Sequence, residues 1–176
     1  MIKDLGTGSS GSVTLVRHIS MDQERALKKV PKSSAFSESA LSEARLLKSL
    51  EHPSIPRIFD FEEDDAFYYI VEEYIDGETL DSFLLHQQLI SPGLFFNICE
   101  QLCNVFIYLH TQISTPIIYR DLKPEHIIVC HNKLKLIDFG VSAYVIQDGN
   151  NFNHYGNIEF SAPECFDEDT ITPVYF

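Results

Sequence analysis

The sequence has few of the features that would place a protein on nucleic acid, in a membrane or outside the cell. Its 176 residues include 13 Lys and Arg against 26 Asp and Glu, a formal net charge of −13. No basic run of the kind that nucleic-acid binding requires is present, and no apolar run approaches the roughly 20 residues that span a bilayer. Residues 1–5 are too short and too polar to form a signal peptide. We therefore expect a cytoplasmic protein with no nucleic-acid partner and no membrane segment in this chain.

Cysteine is also scarce, and its spacing excludes a zinc site or a redox pair. The four cysteines form no Cys-x-x-Cys pair, and no histidine lies at zinc spacing from them. Cys99 and Cys103 are four residues apart and share one face of a predicted helix. Free cysteines behave as small apolar residues in most proteins. We expect reduced thiols, most of them buried.

The composition, 44% hydrophobic and 22% charged, is that of a globular protein, and the chain has two regions of different pattern. Up to Tyr74, short β-branched and aromatic segments predict strands around one amphipathic helix, which runs from Ala40 to Leu50. After a linker at residues 75–77, a long helix begins at Ser91 and Pro92. Its apolar stripe is Leu94, Ile98, Leu102, Val105 and Leu109. The predicted strands are 13–16, 25–30, 55–61, 67–74, 117–118, 127–129 and 134–137.

Residues 6–11, Gly-Thr-Gly-Ser-Ser-Gly, place three glycines directly before the predicted strand at 13–16. Glycine reaches backbone angles closed to other residues and lets amide N–H groups come close to a ligand. Because a strand follows, the segment is a hairpin and not the strand-to-helix turn of a dinucleotide-binding fold. The missing Gly-Lys-Ser/Thr ending excludes a Walker-type loop. A flexible turn and a phosphate-binding loop both fit this segment alone.

Three further segments carry side chains suited to catalysis. Ala26-Leu27-Lys28 places a lysine on the same side of a strand as a small alanine, although a solvated lysine explains this segment alone. Residues 119–125, Tyr-Arg-Asp-Leu-Lys-Pro-Glu, lie between two apolar strands, and residues 137–140, Ile-Asp-Phe-Gly, end a strand in a carboxylate and a glycine. Either of the last two segments fits an ordinary loop when taken alone.

Together and in this order, these segments resemble the protein kinase family over nearly the whole chain. Residues 119–121 are similar to the catalytic-loop triplet, with tyrosine for the commoner histidine. Residues 138–140 are similar to the metal-binding triplet, and residues 162–164, Ala-Pro-Glu, are similar to the triplet that closes the activation segment in the family. The glycine segment with Val13 is similar to the nucleotide-covering loop. Glu43 matches the helix glutamate that pairs with the strand lysine, here Lys28.

The resemblance implies an α+β, two-lobed fold. Residues 1–74 would form an antiparallel-sheet small lobe with one helix, residues 75–77 a hinge, and residues 78–176 the upper part of a mainly helical large lobe. The chain stops at Phe176, before the central helix that anchors the catalytic loop, and before any arginine that would pair with Glu164. We therefore expect an incomplete kinase domain.

The resemblance also implies transfer of the ATP γ-phosphoryl group to a hydroxyl of a protein substrate, with Mg²⁺. Asp121 would orient the hydroxyl and accept its proton, and Lys123, which is typical of serine/threonine kinases, would steady the γ-phosphoryl group. Lys28, held by Glu43, would bind the α- and β-phosphates. The adenine pocket would lie between the lobes, with backbone hydrogen bonds from the linker. The implied ATP-binding residues are Gly6, Gly8, Gly11, Val13, Ala26, Lys28, Glu73, Ile75, Leu80 and Ile128.

His126 departs from the family, which usually has asparagine here as the second metal ligand. The implied metal ligands are then Asp138 and His126. A neutral imidazole suits Mg²⁺ less well than an oxygen ligand does, so His126 would weaken the second metal site and shift its preference toward Mn²⁺. A histidine that only packs or hydrogen-bonds is the alternative.

Asn157 also departs from the family pattern, because serine/threonine kinases normally have threonine at this position. No Ser or Thr lies between Val145 and Phe160, so Arg120 lacks a source for its usual phosphothreonine partner. We expect activity that needs no phosphothreonine there, with Ser142 and Tyr144 as the main alternative sites of modification. These departures leave two alternatives to an active kinase: a pseudokinase that binds nucleotide in signalling, and a fragment that is inactive or unstable without further helices.

Overall fold

The computed structural model describes residues 2–8, 11–87, 89–144 and 159–161. The chain divides into two compact units, Met1–Asp76 and Gly77–Phe176. The first unit is mainly an antiparallel sheet with one helix, and the second combines helices with short strands. This is the predicted α+β class. The role of residues 75–77 as a hinge stays a prediction.

The first unit contains a five-stranded sheet in the order β1-β2-β3-β5-β4, in which every neighbouring pair is antiparallel. The strands are β1 (Lys3–Gly8), β2 (Gly11–His18), β3 (Gln23–Pro31), β4 (Ile58–Glu63) and β5 (Phe67–Glu73). The glycine segment therefore joins two paired strands, as predicted. Asp64 closes the β4–β5 turn, because its carboxylate accepts hydrogen bonds from the backbone N–H groups of Ala66 and Phe67 at 2.8 and 2.7 Å.

The core of the first unit forms between this sheet and helix α1 (Ser37–Lys48). Ala26 and Val30 alternate inward along β3, and Ala40, Ala44 and Leu47 face inward from α1. The predicted strand start at residue 55 is wrong, since β4 begins at Ile58. Two prolines, at 53 and 56, lack the N–H group that a ladder needs, and Ile55 between them is buried in the core.

The second unit opens with a short strand and two helices, continues through a π-helical turn, and ends in short strands. The helical elements are α2 (Leu80–His86), α3 (Pro92–Ile107), the π-helical turn Tyr108–Gln112 and a 3₁₀ turn, Pro124–His126. The strands are β6 (Glu78–Thr79), β7 (Ile117–Ile118), β8 (Ile127–Cys130), β9 (Lys133–Leu136) and β10 (Ala143–Tyr144). They form two antiparallel sheets, β6-β8-β9 and β7-β10.

Helix α3 begins as predicted, because the Ser91 hydroxyl accepts a hydrogen bond from the Leu94 N–H at 3.2 Å. Of the predicted stripe, Val105 and Leu109 are buried and the other three positions are half-buried. Gln101 fastens the helix to the β8–β9 turn: its amide donates to the Asn132 carbonyl at 2.9 Å and accepts from the Leu134 N–H at 3.0 Å.

The prediction that most thiols are buried is wrong for the part of the chain that the structure describes. Cys103 is exposed, and Cys99 and Cys130 are half-exposed, all three as free thiols. Cys99 and Cys103 each lie two residues from Gln101, about 200° around the helix, so they face away from the turn that Gln101 contacts. Cys165 lies outside the described residues. Among the described helices, none is both long and apolar enough to cross a bilayer.

Candidate active site

The glycine segment of the first unit is fixed by strand pairing at its ends. Gly6 pairs with Val13 and Gly8 with Gly11 across β1 and β2. Gly11 has a φ of +136°, and a Cβ there would overlap the carbonyl oxygen of Lys29. Gly11 is thus needed for the approach of β2 to β3. At Gly6, by contrast, an added Cβ would meet no atom within 4 Å.

The predicted ion pair between Lys28 and Glu43 is present. Lys28 lies on β3, between Val13 of β2 and Ile70 of β5, and its Nζ is 2.6 Å from Oε2 of Glu43 on α1. The two side chains are only 18% and 9% exposed. Burial strengthens a charge-assisted hydrogen bond and makes the loss of either partner costly. The pair therefore holds the lysine ammonium at one place on the sheet.

The other predicted ATP-binding residues lie on or near sheet strands of their own units. In the first unit, Ala26 is buried opposite Leu15, and the Glu73 N–H donates to the Arg57 carbonyl oxygen at 2.9 Å. That N–H is engaged, while Ile75 follows the end of β5 and is half-buried. In the second unit, Thr79 of β6 pairs with Ile128 of β8, and Leu80 is buried directly after Thr79. Leu80 and Ile128 are therefore neighbours.

Two residues in the predicted catalytic-loop and metal-binding triplets of the second unit have strained backbone angles. Arg120 and Asp138 have φ values of 72° and 61°, in the left-handed region that non-glycine residues rarely adopt. Such strain persists only where surrounding contacts over-determine it, and it is common at functional sites. Around Asp138, the Gly140 N–H donates to its Oδ1 at 3.3 Å.

His126 brings the predicted base, Asp121, and the predicted metal ligand, Asp138, together. This buried imidazole follows the predicted catalytic loop, in the 3₁₀ turn. Its Nδ1 is 3.0 Å from the carbonyl oxygen of Asp121 and 3.4 Å from Asp121 Oδ2, and its Nε2 is 3.3 Å from Asp138 Oδ2. Lys123 Nζ lies 3.3 Å from the same Asp121 oxygen. Four of the predicted site residues therefore form one cluster.

Tyr119 fixes the residues on either side of Asp138, a role that the sequence did not reveal. Its ring is fully buried and packs edge-to-face on Phe139, with centroids 5.0 Å apart. Its hydroxyl donates to the carbonyl oxygen of Ile137, directly before Asp138, and the Ser142 hydroxyl donates to the Tyr119 carbonyl at 3.0 Å. The only available signal was a tyrosine where a histidine is commoner. Ser142 is thus engaged in the fold, whereas Tyr144 is exposed.

The second-unit cluster combines acidic and basic groups in one place. Two carboxylates face one ammonium and one imidazole, and Asp138 is 54% exposed. No group of three or more His, Cys, Asp or Glu that could hold a metal occurs among the residues that the structure describes, so a metal here would need oxygen ligands from a bound molecule as well. Asn157 and residues 162–164 lie outside the described residues.

Comparison with known proteins gives a consistent result. A family model described as the protein kinase domain matches residues 1–174. Serine/threonine-protein kinase ppk25 of Schizosaccharomyces pombe is 34% identical over 170 residues, which is 94% of this chain and 40% of that protein. Serine/threonine-protein kinase PrkC of Bacillus subtilis is 31% identical over 93% of this chain and 26% of its own length. Calcium-dependent protein kinase 4 of Plasmodium falciparum is 33% identical over 93% of this chain and 32% of its own length.

Proposed function

The chain belongs to the protein kinase family, and from this premise we propose that the whole protein transfers the γ-phosphoryl group of ATP to a serine or threonine hydroxyl of a protein substrate. The chain spans between a quarter and two fifths of the length of the relatives compared above, all of which are named as kinases. The observation that carries the proposal is the cluster that holds Asp121 and Asp138 on one imidazole. The comparisons give no support to the non-catalytic alternative.

In this proposal Asp121 is the general base. Its carboxylate is 17% exposed and is held by Lys123 on one side and His126 on the other. A base fixed in this way can accept the proton of a substrate hydroxyl without reorganising first. Lys123, 23% exposed, carries the charge that would steady the phosphoryl group as it moves.

Lys28, held by Glu43, supplies the second phosphate contact in the proposal. ATP carries about four negative charges, so phosphate binding needs fixed cations and oriented N–H groups. The 2.6 Å ion pair fixes the ammonium, and the backbone of Gly6, Gly8 and Gly11 on β1 and β2 would supply N–H groups. The Gly6 N–H donates to Asp4 Oδ1 at 3.1 Å in this structure, so it would have to exchange that partner for a phosphate oxygen. The residues proposed to contact the adenine are Val13 and Ala26 in the first unit, with backbone groups of Glu73 and Ile75, and Leu80 and Ile128 in the second unit.

ATP transfer requires a divalent cation, and we propose Mg²⁺ with Mn²⁺ as an accepted substitute. The donor set fits a cation, because Asp138 offers a half-exposed carboxylate and His126 offers a ring nitrogen 3.3 Å from it. When bound, the cation would neutralise charge on the phosphates. We place the protein in the cytoplasm, since ATP is abundant there and free thiols such as Cys103 stay reduced. The charge of −13 disfavours nucleic acid as a partner.

Thermal melts test the proposal first. The whole protein is melted with and without Mg-ATP, beside its Lys28→Met and Asp138→Asn variants. A ligand that binds only the folded state raises the melting temperature, so Mg-ATP is expected to stabilise the wild type and to have little effect on either variant. Equal stabilisation of all three proteins would contradict the assignment of Lys28 and Asp138. The absence of any shift in the whole protein would contradict ATP binding itself.

A further inference from the structure

His126 is held in one tautomer by its surroundings. The ring is buried, and its Nδ1 lies 3.0 Å from the Asp121 carbonyl oxygen and 3.4 Å from Asp121 Oδ2. A carbonyl and a carboxylate oxygen can only accept hydrogen bonds, so Nδ1 must carry the proton. In the neutral ring, the lone pair is then on Nε2, and its direction is fixed by the chain.

The Nε2 lone pair converges with a carboxylate oxygen. Nε2 and Asp138 Oδ2 are 3.3 Å apart, and two acceptor atoms at this distance repel each other unless a proton or a metal ion lies between or beside them. Two adjacent ligands, each about 2.1 Å from one cation, lie about 3 Å from each other. The observed separation is close to that value. Asp138 is also open to solvent, which gives a cation a route of entry.

Resting on the proposed kinase function, we infer that His126 sets the metal selectivity of the ATP site and shifts it toward Mn²⁺, relative to a site with oxygen ligands alone. Mg²⁺ prefers an all-oxygen octahedron and accepts nitrogen poorly, whereas imidazole is a good ligand for the transition metals. The asparagine that the family usually has at this position would offer an amide oxygen, which discriminates less between Mn²⁺ and Mg²⁺. The metal selectivity therefore depends on whether residue 126 presents a ring nitrogen or an amide oxygen to the cation.

Asp121 has a second role in this arrangement, as a positioning residue for His126. A histidine that binds metal through one nitrogen usually donates its other N–H to a carboxylate or a backbone carbonyl, which fixes the ring and raises its basicity. Asp121 supplies both acceptors. Its backbone carbonyl makes the shorter contact, and this contact survives any change of its side chain. The base for phosphoryl transfer and the orientation of the metal ligand are thus supplied by one residue.

The test measures cation binding directly. Mn²⁺ binding to the whole protein with a non-hydrolysable ATP analogue is followed by electron paramagnetic resonance, and Mg²⁺ is titrated against it to give the ratio of the two affinities. His126→Asn and His126→Gln replace the ring nitrogen by an amide oxygen, and both are expected to lower the Mn²⁺-to-Mg²⁺ affinity ratio. Pulsed measurements should detect coupling of ¹⁴N to bound Mn²⁺ in the wild type and lose it in both variants.

Asp121→Asn separates this inference from the proposed function. The variant keeps the backbone carbonyl, so it should keep both the ¹⁴N coupling and the metal ratio while phosphoryl transfer is lost. A wild type that binds Mn²⁺ through nitrogen but transfers no phosphate would overturn the function and leave the metal assignment standing. A phosphate-transferring wild type without ¹⁴N coupling, or with a ratio unchanged by His126→Asn and His126→Gln, would make His126 a packing or ion-pairing residue and overturn the inference.

Discussion

The two units of the molecule hold their charges in opposite ways. In the first unit, Lys28 and Glu43 form a nearly buried pair in which each charge has its partner in the chain. In the second unit, Asp121 and Asp138 share one ammonium and one imidazole, and Asp138 is more than half exposed. The first arrangement is neutral without a ligand. The second has two carboxylates for one ammonium, and one of them, Asp138, is open to a cation from solvent.

The largest expected effect comes from removing the proposed base in the second unit. Asp121→Asn keeps the shape of the side chain but cannot accept the substrate proton, so kcat in the whole protein should fall about 10²- to 10⁴-fold. Binding of Mg-ATP at the first unit's lysine should change little, as measured by the thermal shift. A variant with full kcat would remove Asp121 from the mechanism. A variant that loses the thermal shift as well would show that Asp121 acts mainly in the fold or in ATP binding.

Gly11→Ala should cause the largest loss of stability in the first unit. The new methyl group would overlap the Lys29 carbonyl oxygen at a φ of +136°, which predicts a cost of about 3 kcal/mol in the free energy of unfolding. Urea unfolding measures it. Gly6→Ala is the matched control, because no atom lies within 4 Å of its added Cβ. It should lower the free energy of unfolding by much less than Gly11→Ala does. Equal costs for the two variants would contradict the close approach of β2 and β3.

Breaking the first unit's ion pair should have a somewhat smaller effect. Glu43→Gln leaves the Lys28 ammonium nearly buried without its counter-charge, and we expect a loss of about 2 kcal/mol, below the cost at fully buried sites since Lys28 is 18% exposed. The double variant Lys28→Met with Glu43→Leu replaces both charges by apolar groups and should recover most of this stability in urea unfolding. A double variant less stable than Glu43→Gln would show that the pair itself stabilises the fold.

The smallest effect is a pH dependence confined to the second unit. Burial lowers the pKa of His110 below its ordinary value of 6.5. At pH values near and below 6.5, unfolding therefore lets His110 take up a proton. Its contribution to stability is complete above about pH 6.5 and is lost as the pH falls from that value through the lowered pKa of the folded state. His110→Phe, which keeps a ring against Phe106, should flatten this part of the profile of unfolding free energy between pH 7.5 and 5. Identical pH profiles for the wild type and His110→Phe would contradict the lowered pKa of His110.

Sequence patterns predicted the features that depend on local spacing. The glycine hairpin, the inward alternation along β3 and the Ser91 cap each follow from neighbouring residues. The resemblance added the Lys28–Glu43 pair, which lies 15 residues apart in the chain. Helix α2 was missed because seven residues show too little periodicity to distinguish a helix from a linker. The two-residue strands β6 and β10 carry no pattern of their own.

The parts of the site that could not be predicted are contacts between loops. The spacing of Asp121, His126 and Asp138 does not tell which ring nitrogen faces which carboxylate. Those contacts depend on the left-handed backbone at Asp138 and on the β8–β9 pairing that brings residue 138 back toward residue 126. The exposure of Cys103 likewise depends on which side of α3 Gln101 fastens to the turn, a tertiary contact that outweighs the usual burial of thiols.

The packing of Tyr119 between Phe106 and Phe139 has a spectroscopic consequence. The sequence contains no tryptophan, so an indole introduced at position 106 would be the sole source of red-shifted fluorescence in the chain. Its ring would lie against the tyrosine that fixes the backbone before Asp138. Changes in its emission would then report on the packing next to Asp138 when Mg-ATP is added.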